Sequence, residues 1–305
     1  MIVTVGEVLA VLDAESPGPL RHADSFRLTV AGAESNFAIG AARLGASVAY
    51  AGRIGDDEFG RLALSTLRGE GVDVSAVIVD GAAPTALMVK EHRLQGLVDV
   101  VYYRAGSAGS RLTPDDLPVS LIREADVLHV SGVTPALSAS AREAVFAAVE
   151  LAPRVSVDVN YRARLWPPDE ARPVLTDLVS RADVVFAGED EAELLTGSPD
   201  PAPLARLGPS EAVVKRGAGG CVAQCDGHLL ACDAWPVHVV DAVGAGDAFA
   251  AGYLADRMAG IDAAAALRTA VATGAFAVTR KGDWEGLPRR EEFELLDRAA
   301  GSVRR

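Results

Sequence analysis

VLHVSGVTPALSASAREAVFAAVELAPRVSVDV, residues 127–159, holds the pattern that decides the fold. Its two ends, Val127–Ser131 (VLHVS) and Val155–Val159 (VSVDV), are short and rich in β-branched residues, as buried strands are. Between them Ser138–Leu151 reads as a helix, with a serine placed to cap its first turn. Strand, helix and strand at this cadence make a crossover unit, which joins parallel neighbours. The rhythm continues outward. Asp183–Ala187 (DVVFA) and Ala212–Lys215 (AVVK) read as further buried strands, and Asp169–Arg181 and Glu189–Leu195 as helices. The expected body is a doubly wound α/β structure, a mostly parallel sheet covered on both faces.

Two stretches break the cadence. Arg21–Val30 and Thr85–Arg104 (TALMVKEHRLQGLVDVVYYR) alternate polar and apolar residues, the mark of antiparallel strands with one wet face. They predict a small β lid over residues 12–30 and 84–104, with the main domain in 1–11, 31–83 and 105–305. The exposed edges and apolar face of such a sheet favour a homodimer or larger homo-oligomer.

The chain of 305 residues is 50% hydrophobic and 23% charged, enough to bury a core, and its net charge of −13 is not the balance of a nucleic-acid binder. The longest run without Asp, Glu, Lys or Arg spans the 15 residues Val127–Ala141, short of a membrane span. MIVTVGE at the start reads as a first strand rather than a signal peptide, so a cytoplasmic protein is expected. Cys221, Cys225 and Cys232, three thiols within 12 residues, read as reduced cysteines rather than as disulfides or a metal site.

Chemistry concentrates in Asp241–Gly252, DAVGAGDAFAAG, which follows the strand-like Val237–Val240 and opens an Ala-rich helix running to Met258. Gly244, Ala245 and Gly246 let backbone N–H groups converge, and the helix they open adds partial positive charge, so phosphate would bind there. Asp247 stands in the same turn, where a carboxylate repels a resting phosphate unless it is needed to take a proton. The pair suggests phosphoryl transfer, with Asp247 as general base and the 244–247 amides stabilising the transferring group. The same letters also serve an ordinary helix cap. No GxxxxGK[ST] occurs, and both Gly244–Phe249 and Gly217–Val222 lack the last glycine of GxGxxG, which disfavours a nucleotide-dependent oxidoreductase.

The turn resembles the C-terminal signature of the ribokinase-like (PfkB) sugar kinases, D-T-x-G-A-G-D. Ala31–Gly45 (AGAESNFAIGAARLG) is similar to that family's N-terminal motif, and Arg53–Gly60 (RIGDDEFG) to its companion segment. The likeness covers nearly the whole chain and is nearest to the 2-keto-3-deoxygluconate kinase branch. It is carried by Gly6 and Glu7, GAESN at Gly32–Asn36, YYRAGSAGS at Tyr102–Ser110, DVNYRARLW at Asp158–Trp166, GEDEAELLTG at Gly188–Gly197 and VVKRGAGG at Val213–Gly220. The resemblance implies a ribokinase-like fold and ATP-dependent phosphorylation of a primary hydroxyl on a sugar acid, with Mg²⁺ accompanying the nucleotide.

The resemblance also implies roles for particular residues. Asp247 matches the catalytic base and Gly244, Ala245 and Gly246 the anion hole. Asp241 matches the motif's first Asp, near nucleotide or a monovalent cation, though an Asp after a strand is also a routine turn residue. Gly32 and Asn36 match the substrate end of the first motif. Lys215, Gly217 and Gly219 fall where the family lines the nucleotide, and the two glycines equally suit a hairpin turn. A keto acid's carboxylate favours guanidinium donors and an aromatic wall, for which Arg104, Arg162 and a tyrosine are candidates. Alternation puts Tyr102 and Tyr103 on opposite faces, and alignment with the family selects Tyr103.

Three departures bear on the substrate and the metal. Ala31 precedes Gly32 where the family usually pairs glycines, and Met88 stands where sugar-acid kinases often carry a tyrosine. Gly188 replaces the Asn of an N-x-x-E segment, leaving Glu191 as its polar member and a Mg²⁺ more dependent on water. The rival readings are a kinase of fructose, ribose or a related sugar, and a non-catalytic sugar-binding protein of the same fold.

Overall fold

The computed structural model describes residues 1–94 and 97–298, which form two β-sheets and the helices around the larger one. The strands are β1 (Ile2–Val5), β2 (Leu9–Ala14), β3 (Phe26–Ala31), β4 (Val48–Gly55), β5 (Val77–Asp80), β6 (Ala86–Leu94), β7 (Leu97–Tyr103), β8 (Val127–Ser131), β9 (Val155–Asp158), β10 (Val184–Gly188), β11 (Glu211–Lys215), β12 (Cys221–Cys225) and β13 (His228–Cys232).

The large sheet has the order β13-β12-β11-β10-β9-β8-β1-β4-β5 and is parallel except where β12 and β13 join antiparallel at one edge. Each central strand feeds both of its faces. Ile2, Val184, Phe186 and Val213 pack in one core with helices Ala33–Arg43, Ala245–Met258 and Ala263–Ala277. Their neighbours Val3, Val185 and Val214 pack in the other with helices Ala139–Leu151 and Pro168–Ser180. The expected crossover unit is present, and Ser138 caps its helix by accepting from the Ala141 amide at 3.0 Å.

One expected strand is not one. Val237–Val240 has no sheet neighbour, and Val239 and Val240 are 57% and 47% exposed. The edge strand β13 ends at Cys232, so this β-branched run finds no ladder. It lies extended instead, with the Val240 amide donating to the Val278 carbonyl at 2.7 Å.

The small sheet has the order β3-β2-β6-β7, antiparallel except for the parallel β2–β6 pair. It takes in residues 9–11, expected in the main domain, because Leu9 pairs with Ala31 on one side and Ala86 on the other. Among the described residues the chain passes between the two sheets at four places, residues 6–8, 32, 81–85 and 104–108. Thr85 is fixed there by Asp57, which accepts from its amide and its hydroxyl at 2.8 Å each.

Among the described residues, no helix is long and apolar enough to cross a membrane, and no three His, Cys, Asp or Glu side chains gather to hold a metal. The three cysteines are free thiols, and burial pushes Cys221 up to about 12.

Candidate active site

A single cleft of about 1910 Å³ runs from the inner face of the small sheet (Leu9, Met88, Lys90, Tyr102) to Lys215–Gly217 and His238–Val243. That exceeds the 300–1,000 Å³ typical of one small-molecule site and leaves room for two ligands end to end. Asp247 lies between the two ends, in the first turn of helix Ala245–Met258.

The helix begins at Gly244, whose φ of +76° is left-handed; a Cβ there would fall 2.0 Å from the Asp283 carbonyl oxygen. Only glycine fits. A Cβ on Gly246 would lie 3.1 Å from the Lys215 ammonium. The Ala245 amide turns back to the Ala242 carbonyl at 3.4 Å, whereas Gly246 and Asp247, in the first turn, have no intrahelical carbonyl partner for theirs. Of the amides expected to receive an anion, those of Gly246 and Asp247 are therefore open and that of Ala245 is turned back. Asp241 steadies the approach, accepting from the amides of Val243 (3.0 Å) and Gly282 (3.3 Å).

Two asparagines hold the Asp247 carboxylate. Asn36, from helix Ala33–Arg43, donates to Oδ2 at 2.9 Å, and Asn160, just beyond β9, donates to Oδ1 at 3.2 Å. Burial pushes the Asp247 pKa up to about 7. The Asn36 hydrogen bond opposes this, the Asp158 charge adds to it, and the positive charges of Arg162 and Lys215 restrain it. A carboxylate in that range suits proton abstraction at neutral pH.

Asp158 and Lys215 end β9 and β11, and the Lys215 ammonium lies 2.8 Å from both Asp158 oxygens. Burial alone would lower the Lys215 pKa, but Asp158 and Glu191 outweigh it and keep the ammonium charged. Asp158 and Asn160 line the cleft beside Asp247 and were missed by sequence reasoning. Their signal was an Asp breaking the apolar VSVDV strand at its end, two residues before an Asn that adopts φ +39°. Arg216 also lines the cleft and was missed.

Glu191 is committed to the backbone. Its oxygens accept from the Gly188 amide (2.7 Å) and the Tyr161 amide (2.8 Å), capping helix Glu189–Thr196 and pinning the loop that carries Arg162. Gly32 lines the small-sheet end of the cleft with φ +147°, where a Cβ would meet the Glu7 carbonyl at 2.3 Å. Gly217 lines the other end. Gly219 does not, belonging with it to a short 3₁₀ turn between β11 and β12.

The two arginines both line the cleft but differ in their partners. Arg104 grips the buried Glu7 carboxylate at 2.9 and 2.5 Å, and Glu7 also accepts from Ser107 at 2.7 Å. Arg162 lines the cleft with no ion-pair partner among the described residues. Tyr103 is the wrong tyrosine. It is 64% exposed on the outer face, while Tyr102, directly opposite Met88, faces the cleft. Strand parity decides between them, since Met88 and Lys90 of the paired strand also point inward.

The family model described as "pfkB family carbohydrate kinase" matches residues 1–290. The chain belongs to this family. The 2-dehydro-3-deoxygluconokinase of Thermoproteus tenax is 44% identical to this kinase, covering 98% of this chain and 94% of the relative. A crystal structure of 2-dehydro-3-deoxygluconokinase from Thermotoga maritima superposes with a TM-score of 0.89 at 27% identity, covering 97% of each chain. A putative ribokinase II from E. coli, solved in complex with ATP and Mg²⁺, superposes with a TM-score of 0.91 at 28% identity, covering 98% of this chain and 99% of that one. The kinase is thus an ATP-dependent carbohydrate kinase of ribokinase-like fold.

Proposed function

We propose that this kinase transfers the γ-phosphoryl group of ATP to the 6-hydroxyl of 2-keto-3-deoxygluconate, giving 2-keto-3-deoxy-6-phosphogluconate and ADP. The observation that carries the mechanism is Asp247, held by Asn36 and Asn160 at mid-cleft with its pKa raised to about 7. The sugar lies under the small sheet, which acts as a lid, and the nucleotide lies at the Lys215–Gly217 end. Asp247 takes the hydroxyl proton as the sugar oxygen bonds to the γ-phosphorus and the bond to the ADP oxygen breaks. The amides of Gly246 and Asp247 and the helix dipole stabilise the charge on the group in transit.

The donor set fits a water-rich Mg²⁺ carried by the nucleotide: Asp158 is bonded to Lys215 and Glu191 to two amides, so neither is free to ligate directly. Bound in this way, Mg²⁺ would neutralise phosphate charge, and Glu191 would help hold it through water. The sugar acid is supported by Arg162, a cleft cation without an ion-pair partner among the described residues, and by the relatives named above.

The outer face of the small sheet carries the exposed Phe26, Leu28, Val101 and Tyr103, which supports a homodimer or larger assembly. We place the protein in the cytoplasm, without nucleic-acid or membrane partners. A second reading, a neutral sugar as acceptor, is favoured by Met88 in place of a tyrosine and by Arg104 being held by Glu7. A panel of 2-keto-3-deoxygluconate, its galactonate-derived epimer, fructose and ribose, followed by coupled ADP release, decides. Turnover of the sugar acids is expected, and activity confined to neutral sugars overturns the reading.

A further inference from the structure

The segment Lys281–Glu285 touches the small sheet, the helix that carries Asn36 and the turn before Asp247 at once. Toward the small sheet, the Lys90 ammonium of β6 sits 2.5 Å from Asp283, with side chains only 3% and 5% exposed. Beside this pair Thr29 of β3 donates to Glu285 at 2.9 Å, and Arg27 lies 3.3 Å from the same carboxylate. Toward the helix that carries Asn36, Arg43 donates to the carbonyls of Trp284 (3.3 Å) and Leu287 (2.5 Å), with its guanidinium 5.2 Å from the centre of the Trp284 ring. Toward the anion turn, the Gly282 amide donates to Asp241, and the Asp283 carbonyl occupies the space a side chain at 244 would need.

A lysine in mid-strand, sealed from water, is costly unless its charge has work to do. Its strand-mates on the inner face, Ala86 and Met88, pack with Leu9 and Val11, so an apolar residue would satisfy packing alone. Burial by itself would lower the Lys90 pKa; Asp283, Asp241 and Asp13 outweigh it and keep the charge.

We propose that Lys90 is a positioning residue: by holding Asp283 it ties the small sheet to Lys281–Glu285, so that closure over the sugar is transmitted to the Gly244 turn that receives the phosphates. This rests on the proposed two-ligand reading of the cleft, and it makes sugar and nucleotide affinities interdependent, as linkage requires.

The test is calorimetric titration of adenylyl imidodiphosphate with Mg²⁺, with and without saturating 2-keto-3-deoxygluconate. In the wild type the sugar should tighten nucleotide binding about 5- to 150-fold. Lys90→Met should bring that ratio toward one while leaving sugar-free nucleotide affinity nearly unchanged; Lys90→Arg should retain most of it. A loss of melting temperature in Lys90→Met with the ratio intact overturns the proposal, because a merely structural residue behaves that way. A wild-type ratio of one also overturns it. If Lys90→Met does not fold, Arg27→Met cuts the half-exposed tie to Glu285 and should lower the ratio; an unchanged ratio is then the refutation. Wild-type turnover of 2-keto-3-deoxygluconate is measured separately. Its absence counts against the substrate reading alone, and the ratio is then taken with the sugar that is phosphorylated.

Discussion

Removing the charge from Asp247 should slow turnover severely and yet stabilise the fold. Its folded pKa of about 7 lies above the roughly 3.9 of an unfolded aspartate, so the protonated form is favoured in the native state. That contribution is fully present below pH ~4 and is lost as pH rises through ~7. Asp247→Asn, uncharged throughout, should therefore melt above the wild type at pH 8, with the gap closing toward pH 4. Asn36 can turn its amide to suit, since its Oδ1 has no partner. The same variant should lose about 10²- to 10⁴-fold in kcat, and wild-type kcat/KM should fall about tenfold per pH unit below ~7. Arg162→Lys should raise KM for the sugar acid about tenfold with kcat less affected, because an ammonium cannot make the planar two-point grip; unchanged KM removes Arg162 from the site. Asp247 and Arg162 could be read from the chain because each follows a motif in sequence. Asn160 could not, because its role exists only where β9 and helix Ala245–Met258 converge. Tyr102 lost to Tyr103 over one step of strand parity that only the pairing with Met88 resolves.

The turn at Gly244 is an element with no tolerance. Gly244→Ala must either leave its left-handed φ or displace the Asp283 carbonyl, and both routes disturb the first turn of the helix. The expected cost is about 1–3 kcal/mol of stability, read by urea unfolding, with weaker nucleotide binding; wild-type behaviour would show that the turn has slack. The four buried strands from Val127 onward were legible to within a residue, because β-branched runs of four or five residues flanked by turns have few alternatives, whereas Val48–Gly55, broken by Gly52 and Arg53, was not read as one. Val237–Val240 has the same composition and failed, because a strand also needs a neighbour and the sheet had already closed with β13. The helix it precedes was legible from its Ala-rich run to Met258.

The order of the large sheet was not legible, since it places β1 between β8 and β4, and no local pattern encodes which distant strands adjoin. That order brings the ends of β9, β10 and β11 together beside Asp247 and so creates the charged floor of Asp158 and Lys215. The small sheet was foreseen as an addition, but its outer face makes a prediction about assembly. Leu28→Glu places a charge beside Phe26 at one edge of the outer face, which carries Val101 and Tyr103 at its other edge. It should shift the species seen by light scattering toward monomer while leaving the melting temperature within a few degrees, since Leu28 is half exposed; an unchanged mass moves the contact elsewhere. The four crossings between the sheets carry a mechanical consequence. Two of them are gripped, Thr85 at its backbone amide by Asp57 and Arg104 at its guanidinium by Glu7. A turn of the small sheet about these crossings would open a path for product while keeping the hydrogen bonds of both ladders, at the cost of the Lys90–Asp283 and Thr29–Glu285 ties.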